Sequence, residues 1–345
     1  MQIISKMLTR HSPVGRLTNK VVQNLCSDRR RSSSSGRSSS RRSSGSSGSS
    51  HETMVKKMQE CLGNDSTANQ ELGWESLWSD GITPWDINMP TPVLKAELRQ
   101  NTPPVNHSCY PKPPHCYNML IPGCGSGHDL LTMSQFQEQW KKEGRIHDDS
   151  NVLGLDISLT SLEHAKRTLL KAATTATVAN NNNKNNHNQN KEKAVVTSTT
   201  SSNNVTLVHG DFLNCNTWKP IFNNSQVHHC NDHIAFQEER FDLIFDYTFF
   251  VALPLHLRSH WGKTMALLLK PNTGRLLTLM FPVLPADSLT MEGPPYPVTI
   301  EDYRRVLEPN GVVMDSEPFE SQHTIEPRKG KEYVCWWRRE GISRL

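Results

Sequence analysis

The sequence predicts an α/β protein built on a doubly wound, mostly parallel sheet, and three observations carry that prediction. Strand-like and helix-like segments alternate from about residue 117 onward, the pattern of a parallel sheet with crossover helices. Several strand candidates are apolar along their whole length, as in Leu276-Leu-Thr-Leu-Met-Phe281, which suits strands covered on both faces. The first candidate strand also runs into a glycine-rich turn, Gly123-Cys-Gly-Ser-Gly127, and then directly into a helix.

Taken in order, strands are expected at Tyr117–Pro122, Asn151–Asp156, Val205–His209, Phe241–Tyr247, Arg275–Phe281, Val312–Ser316 and Tyr333–Trp337. Helices are expected at Asp129–Lys142, Leu159–Ala172, Leu257–Leu269 and Ile300–Leu307. Seven strands exceed what a minimal nucleotide-binding half requires, and the last two crowd the C-terminus. The folded domain is expected to occupy residues 58–345. Two low-complexity inserts interrupt it, at 174–204, with its Asn-rich run, and at 221–238.

Residues 1–57 form a basic tail, of which 29–50 are only Arg, Ser and Gly and cannot bury enough apolar surface to order. Residues 1–50 hold ten Lys and Arg against the single acid Asp28, whereas the remainder carries 28 basic and 33 acidic residues. The formal charge of +4 therefore belongs to the tail, and the folded part lacks the clustered cations of a nucleic-acid surface. The segment 1–25 is basic, acid-free and loosely amphipathic, which fits an organelle transit peptide and fits a tail with no address equally well. Eight cysteines at irregular spacing argue against a disulfide framework and for a reducing, intracellular setting. No apolar run reaches the roughly 18–20 residues that span a bilayer, so no membrane partner is expected. His228-His-Cys230 and His233 have metal-like spacing but no second ligand cluster, and no metal is expected.

The chemistry gathers where the strands end. Glycines in Gly123-x-Gly125-x-Gly127 let backbone approach a ligand that side chains would exclude. Asp156, at the tip of the second strand, can accept hydrogen bonds from both hydroxyls of a ribose, and Ser158 can cap the next helix in its place. Asp211-Phe212 offers an acid for an adenine amino group and a ring to stack on it; a capped turn with a core Phe is the other reading. Asp246-Tyr247 ends the fourth strand at the middle of the sheet, where a reactive group belongs. Ahead of the sheet, Trp74, Trp78 and Trp85 fall within twelve residues, the first two one helical turn apart. They make either a packing patch or a lid whose π faces meet a cation.

In these segments the chain resembles the thiopurine/thiol S-methyltransferase family, particularly its plant-type thiol and halide methyltransferases. The resemblance is carried by Trp74-Glu-x-x-Trp78, Gly81-Ile-Thr-Pro-Trp-Asp86, Pro90-Thr-Pro92, Ile121-Pro-Gly-Cys-Gly-Ser-Gly-His-Asp129 and Val152-Leu-Gly-Leu-Asp-Ile-Ser158. It continues in Phe241-Asp-Leu-Ile-Phe-Asp-Tyr247, Leu268-Leu-Lys-Pro271, Leu276-Leu-Thr-Leu-Met280, Gly293-Pro-Pro-Tyr296 and Arg328-Lys-Gly-Lys331. It implies the class I S-adenosylmethionine-dependent methyltransferase fold, Rossmann-like, with seven strands and the last pair antiparallel. It further implies that Trp74, Trp78, Trp85, Gly123, Gly125, Asp156, Asp211, Phe212, Asp246 and Tyr247 surround S-adenosylmethionine. Trp85, Arg258 and Tyr296 are then expected beside the acceptor. The Asp246-Tyr247 pair matches the thiol/halide branch, where the thiopurine branch has Trp-Asp.

The expected reaction is methyl transfer to a small thiol, hydrosulfide, halide or thiocyanate, with an aromatic thiol of thiopurine type as the alternative acceptor. Such soft anions need positioning and desolvation more than a base. Arg258 or the Tyr296 hydroxyl can favour the anion, and Asp246 is the weaker candidate for a base. A monomer acting on a small molecule or anion is expected. Two other classes remain as competitors: a nicotinamide-dependent oxidoreductase, disfavoured by the G-x-G-x-G form, and a non-catalytic scaffold, disfavoured by the intact site residues.

Overall fold

The computed structural model describes residues 47–62, 67–101, 103, 115–185, 204–223, 238–288 and 293–341. The sheet runs in the order β4-β3-β2-β1-β5-β6-β8-β7. Its strands are β1 (Met119–Pro122), β2 (Val152–Asp156), β3 (Val205–His209), β4 (Lys219–Asn223), β5 (Leu243–Tyr247), β6 (Arg275–Met280), β7 (Val312–Met314) and β8 (Tyr333–Arg339). Pairs β3-β2-β1-β5-β6 are parallel, with Leu120 opposite Leu153 on one side and Ile244 on the other. Strands β6-β8-β7 pair antiparallel, so the expected antiparallel end of the sheet is present.

Alternation along the central strands explains the layering. Leu120, Leu153 and Leu155 face one core with Trp261 and Met265 of α6 (Arg258–Leu268) and Tyr303 and Leu307 of α7 (Ile300–Leu307). Met119, Ile121 and Val152 face the other core with α3 (Pro92–Gln100), α4 (His128–Lys142) and α5 (Leu159–Asn185). Trp140, Trp261 and Trp337 are fully buried; each removes on the order of 200 Å² from water, about 5 kcal/mol as an upper bound. Helix α7 starts at a capping box in which Thr299 and Asp302 satisfy each other's backbone amides. A third small cluster joins Met58 and Leu62 of α1 (Ser47–Leu62) to Leu77 of α2 (Thr67–Ser79).

Three expected boundaries change. Helix α1 starts at Ser47, ahead of the Met58 start expected for the domain. Helix α5 extends to Asn185, into the segment expected as the 174–204 insert. Its Ala172-Ala-Thr-Thr-Ala-Thr-Val-Ala179 run has enough alanine to prolong a helix already nucleated, although it has no apolar periodicity. Strand β4 is an eighth strand at the mouth of the expected 221–238 insert, pairing antiparallel with β3. Lys219-Pro-Ile-Phe-Asn223 escaped pattern reading because it is an exposed edge, where Pro220 breaks no needed ladder bond. The basic tail through residue 46, the Asn-rich run beyond 185, and His228, Cys230 and His233 lie outside the described residues.

Chain order reverses between β1 and β5, which opens a crevice beyond their carboxyl ends. There the glycine loop and the Asp246-Tyr247 tip meet.

Candidate active site

A cavity of about 520 Å³ fills this crevice, a size that suits a nucleoside-sized ligand. Its floor is the glycine loop. Gly123 and Gly125 both hold positive φ, at 61° and 55°, and a Cβ on Gly125 would lie 3.5 Å from the Trp78 ring. Any larger side chain there would fill the space between loop and aromatic wall.

Asp156 emerges from β2 only 7 % exposed. Its two carboxylate oxygens accept N–H bonds from Gly125 at 3.0 Å and Ser158 at 2.9 Å. Burial raises its pKa despite these donors. Ser158 caps α5, its Oγ accepting the Ser161 amide at 3.1 Å, as the sequence suggested. Further along the wall, Asp211 is fixed by the Leu213 amide at 2.9 Å, and the Trp218 indole donates to its carbonyl at 2.8 Å. Phe212 is buried edge-on against Phe249, with centroids 5.3 Å apart.

The tryptophans form the roof. Trp85 lies edge-on to Trp74 at 5.0 Å and to Trp78 at 5.9 Å, and all three line the cavity. Val55 and Met58 of α1 line it too. Glu75 clamps this roof to the sheet by accepting bonds from the Ser158 hydroxyl and from the Thr160 amide and hydroxyl. Burial alone pushes the Glu75 pKa up, but the bonds from Thr160 and Ser158 outweigh it and the net shift is downward. Glu75→Ala should raise the KM for S-adenosylmethionine, the ligand expected in this cavity, about tenfold with little change in kcat, the equivalent of one net hydrogen bond to a charged group. An unchanged KM in steady-state assays would count against the clamp.

At the far end the Arg328 guanidinium lies over the rings of Tyr247 and Phe281, its Cζ 4.9 and 4.5 Å from their centroids. Arg328 and Glu332 are both buried, with Nη1 and Oε2 3.4 Å apart. Burial raises the Glu332 pKa, and Arg328 opposes that shift. Arg328 lines the cavity. It stood inside the Arg328-Lys-Gly-Lys331 motif but was given no role from sequence. The motif itself was the available signal.

Of the residues expected around the cofactor, Trp74, Trp78, Trp85, Gly123, Gly125, Asp156, Asp211, Phe212 and Tyr247 line the cavity, and Asp246 does not. Asp246 points into the core, where it accepts the Trp261 indole N–H at 2.9 Å and the Phe250 amide at 3.2 Å. Its place at a strand tip concealed that direction, since alternate residues face opposite sides of a sheet. Arg258 and Tyr296 also fall outside the cavity lining. Arg258 is 4 % exposed, donates to the Leu253 carbonyl at 3.3 Å and lies over the Phe250 and Tyr296 rings. Burial lowers its pKa. These three support the wall from behind.

Burial pushes Asp246 up to about 7, and also pushes Asp129, which accepts the Thr91 amide and hydroxyl, up to about 6. Acids with folded pKa above their unfolded value of about 3.9 hold protons more tightly in the native state. Their contribution to stability is therefore greatest below that value and declines as pH rises towards about 7. Asp246→Asn should flatten this decline in denaturant unfolding between pH 4.5 and 8; an unaltered slope would contradict the assignment.

A family model for thiopurine S-methyltransferase matches residues 221–342. Thiocyanate methyltransferase 1 of Brassica oleracea is 32% identical over 273 residues, covering 78% of this chain and 86% of that protein. Probable thiol methyltransferase 2 of Arabidopsis thaliana is 30% identical over 287 residues, covering 83% and 93%. A second Arabidopsis thaliana protein, also named thiocyanate methyltransferase 1, is 30% identical over 270 residues, covering 78% and 86%. With relatives 30–32% identical over most of both chains, the chain belongs to the thiopurine S-methyltransferase family and is an S-adenosylmethionine-dependent methyltransferase of the class I fold.

Proposed function

We propose that the chain methylates a small, soft anionic acceptor, namely a thiolate, hydrosulfide, thiocyanate or halide. One observation carries this reading. The described charged groups lining the cavity are Asp156 and Asp211 at one end and Arg328 at the other. The acids suit the ribose and adenine of the cofactor, while the lone cation, set among Tyr247 and Phe281, suits an anion that sheds its water easily.

S-adenosylmethionine, when bound, supplies an electrophilic methyl group on a sulfonium. Asp156 and Gly125 fit its adenosine, since a carboxylate and a tight glycine turn meet at the tips of two neighbouring strands. The rings of Trp74, Trp78 and Trp85 exclude water and offer π faces to a positive centre. Arg328 holds the acceptor as its anion, so a thiol loses its proton to solvent before transfer. No described Lys, His or Cys lines the cavity, and Asp246 is turned away, which supports a reaction without an obligatory base. Asp246→Asn is accordingly expected to leave the rate of thiol methylation unchanged.

Five described cysteines form no disulfide, and no described helix is long and apolar enough to cross a membrane. The deciding experiment incubates purified protein with S-adenosylmethionine and a panel of hydrosulfide, thiocyanate, iodide, small aliphatic thiols and an aromatic thiol, and measures the methylated products. Preference for the inorganic anions and small thiols supports the proposal. Turnover confined to the aromatic thiol would replace it with the thiopurine-type reading.

A further inference from the structure

At the opposite end of the sheet, the segments entering β1 and β2 bring Cys116, His147 and Asp149 together. Each offers one ligand atom, and the three atoms lie within 4.8 Å of one another. Cys116 Sγ is 3.9 Å from His147 Nδ1, and that nitrogen is 3.4 Å from Asp149 Oδ2. Around a tetrahedral zinc ion, metal–ligand lengths of about 2.3 Å to sulfur and about 2.0–2.1 Å to nitrogen or oxygen give edges of roughly 3.6 Å for S···N and roughly 3.4 Å for N···O. These two pairs stand within a few tenths of an ångström of those edges, and the third, from Cys116 Sγ to the Asp149 carboxylate, lies within 4.8 Å.

The framework behind the three atoms is fixed. The His147 amide donates to the His115 carbonyl at 3.1 Å, and the Tyr117 amide donates to Ser150 Oγ at 2.9 Å. The Ser150 hydroxyl in turn donates to the His147 carbonyl at 2.6 Å. The nearby Lys270 ammonium is neutralised by Asp242 at 2.7 Å, so it does not oppose a second cation. Cys116 and Asp149 are half-buried while His147 is exposed, leaving an outer side open to water. A thiolate, an imidazole and a carboxylate together favour zinc over calcium or magnesium, which take oxygen ligands.

We propose that Cys116, His147 and Asp149 form a three-ligand zinc site, with water as the fourth ligand. The ion replaces the bond that the Asp149 amide makes to His147 Nδ1 at 3.2 Å. Binding converts the Cys116 thiol to a zinc-bound thiolate and releases its proton to solvent. The site ties together the entrances of two neighbouring strands, roughly 15 Å of strand away from the cavity, and takes no part in methyl transfer.

The test uses full-length protein stripped with a chelator and titrated with Co²⁺, then with Zn²⁺. One equivalent of Co²⁺ should give a thiolate-to-cobalt charge-transfer band and the visible bands of a tetrahedral ion, both abolished by Zn²⁺. Cys116→Ser should remove the charge-transfer band, and His147→Ala should raise the Kd tenfold or more. Both variants should keep their affinity for S-adenosylhomocysteine. A wild-type protein without the band overturns the proposal, as does a band that survives Cys116→Ser. His147 is exposed, so its removal should not disturb folding, and an unchanged Kd in that variant is equally decisive against the site.

Discussion

Asp156→Ala is expected to weaken binding of S-adenosylhomocysteine by about 100-fold or more, the largest effect of any single change in the cavity. On the proposed reading of the cavity, two ribose hydroxyls each donate a charge-assisted hydrogen bond to this carboxylate, worth about 1.5–3 kcal/mol apiece. Losing both amounts to roughly two decades or more in Kd. The same carboxylate also holds the Gly125 amide, so the variant loosens the loop that shapes the floor. Titration calorimetry with S-adenosylhomocysteine reads the effect directly. A Kd within threefold of wild type would remove Asp156 from the ribose site.

The paired change Arg328→Gln with Glu332→Gln is expected to lower kcat/KM for hydrosulfide or thiocyanate by roughly 10- to 100-fold, the worth of one desolvated charge–anion contact. Both residues must change together. Arg328 and Glu332 are buried as a pair, and removing only the arginine leaves an uncompensated charge that costs about 3–5 kcal/mol of stability. In the paired variant, affinity for S-adenosylhomocysteine should stay within about threefold of wild type. An equal loss of cofactor affinity would place Arg328 at the cofactor rather than at the acceptor.

These two residues also mark how far the sequence was legible. Asp156 could be placed at the cavity from sequence because it sits at a topologically defined point, the tip of the strand after the glycine loop, and the structure puts it in the cavity lining. The tryptophans could be grouped because the roof is local in sequence. Arg328 could not, since its place beside Tyr247 and Phe281 depends on β5 and β6 lying together and on the turn before β8 folding over them. Asp246 and Arg258 went the other way. Both carry the chemistry of a site, yet one residue of strand alternation turns Asp246 inward, and the Phe250 and Tyr296 rings hold Arg258 behind the wall. The fold was more readable than the site because apolar strands and crossover helices repeat, whereas the edge strand β4 and the far half of α5 have too little apolar pattern to announce themselves.

The Glu75 clamp has a consequence for how the protein is made. Its partners Ser158 and Thr160 follow it by 83 and 85 residues. A ribosome adding about 5–20 residues per second therefore exposes the tryptophan segment for several seconds before anything exists for it to dock on. Through that interval Trp74, Trp78 and Trp85 have only helix α1 and one another to shelter them. The segment that later roofs the cavity thus spends that interval as an exposed aromatic stretch of the nascent chain, the kind of surface that chaperones cover.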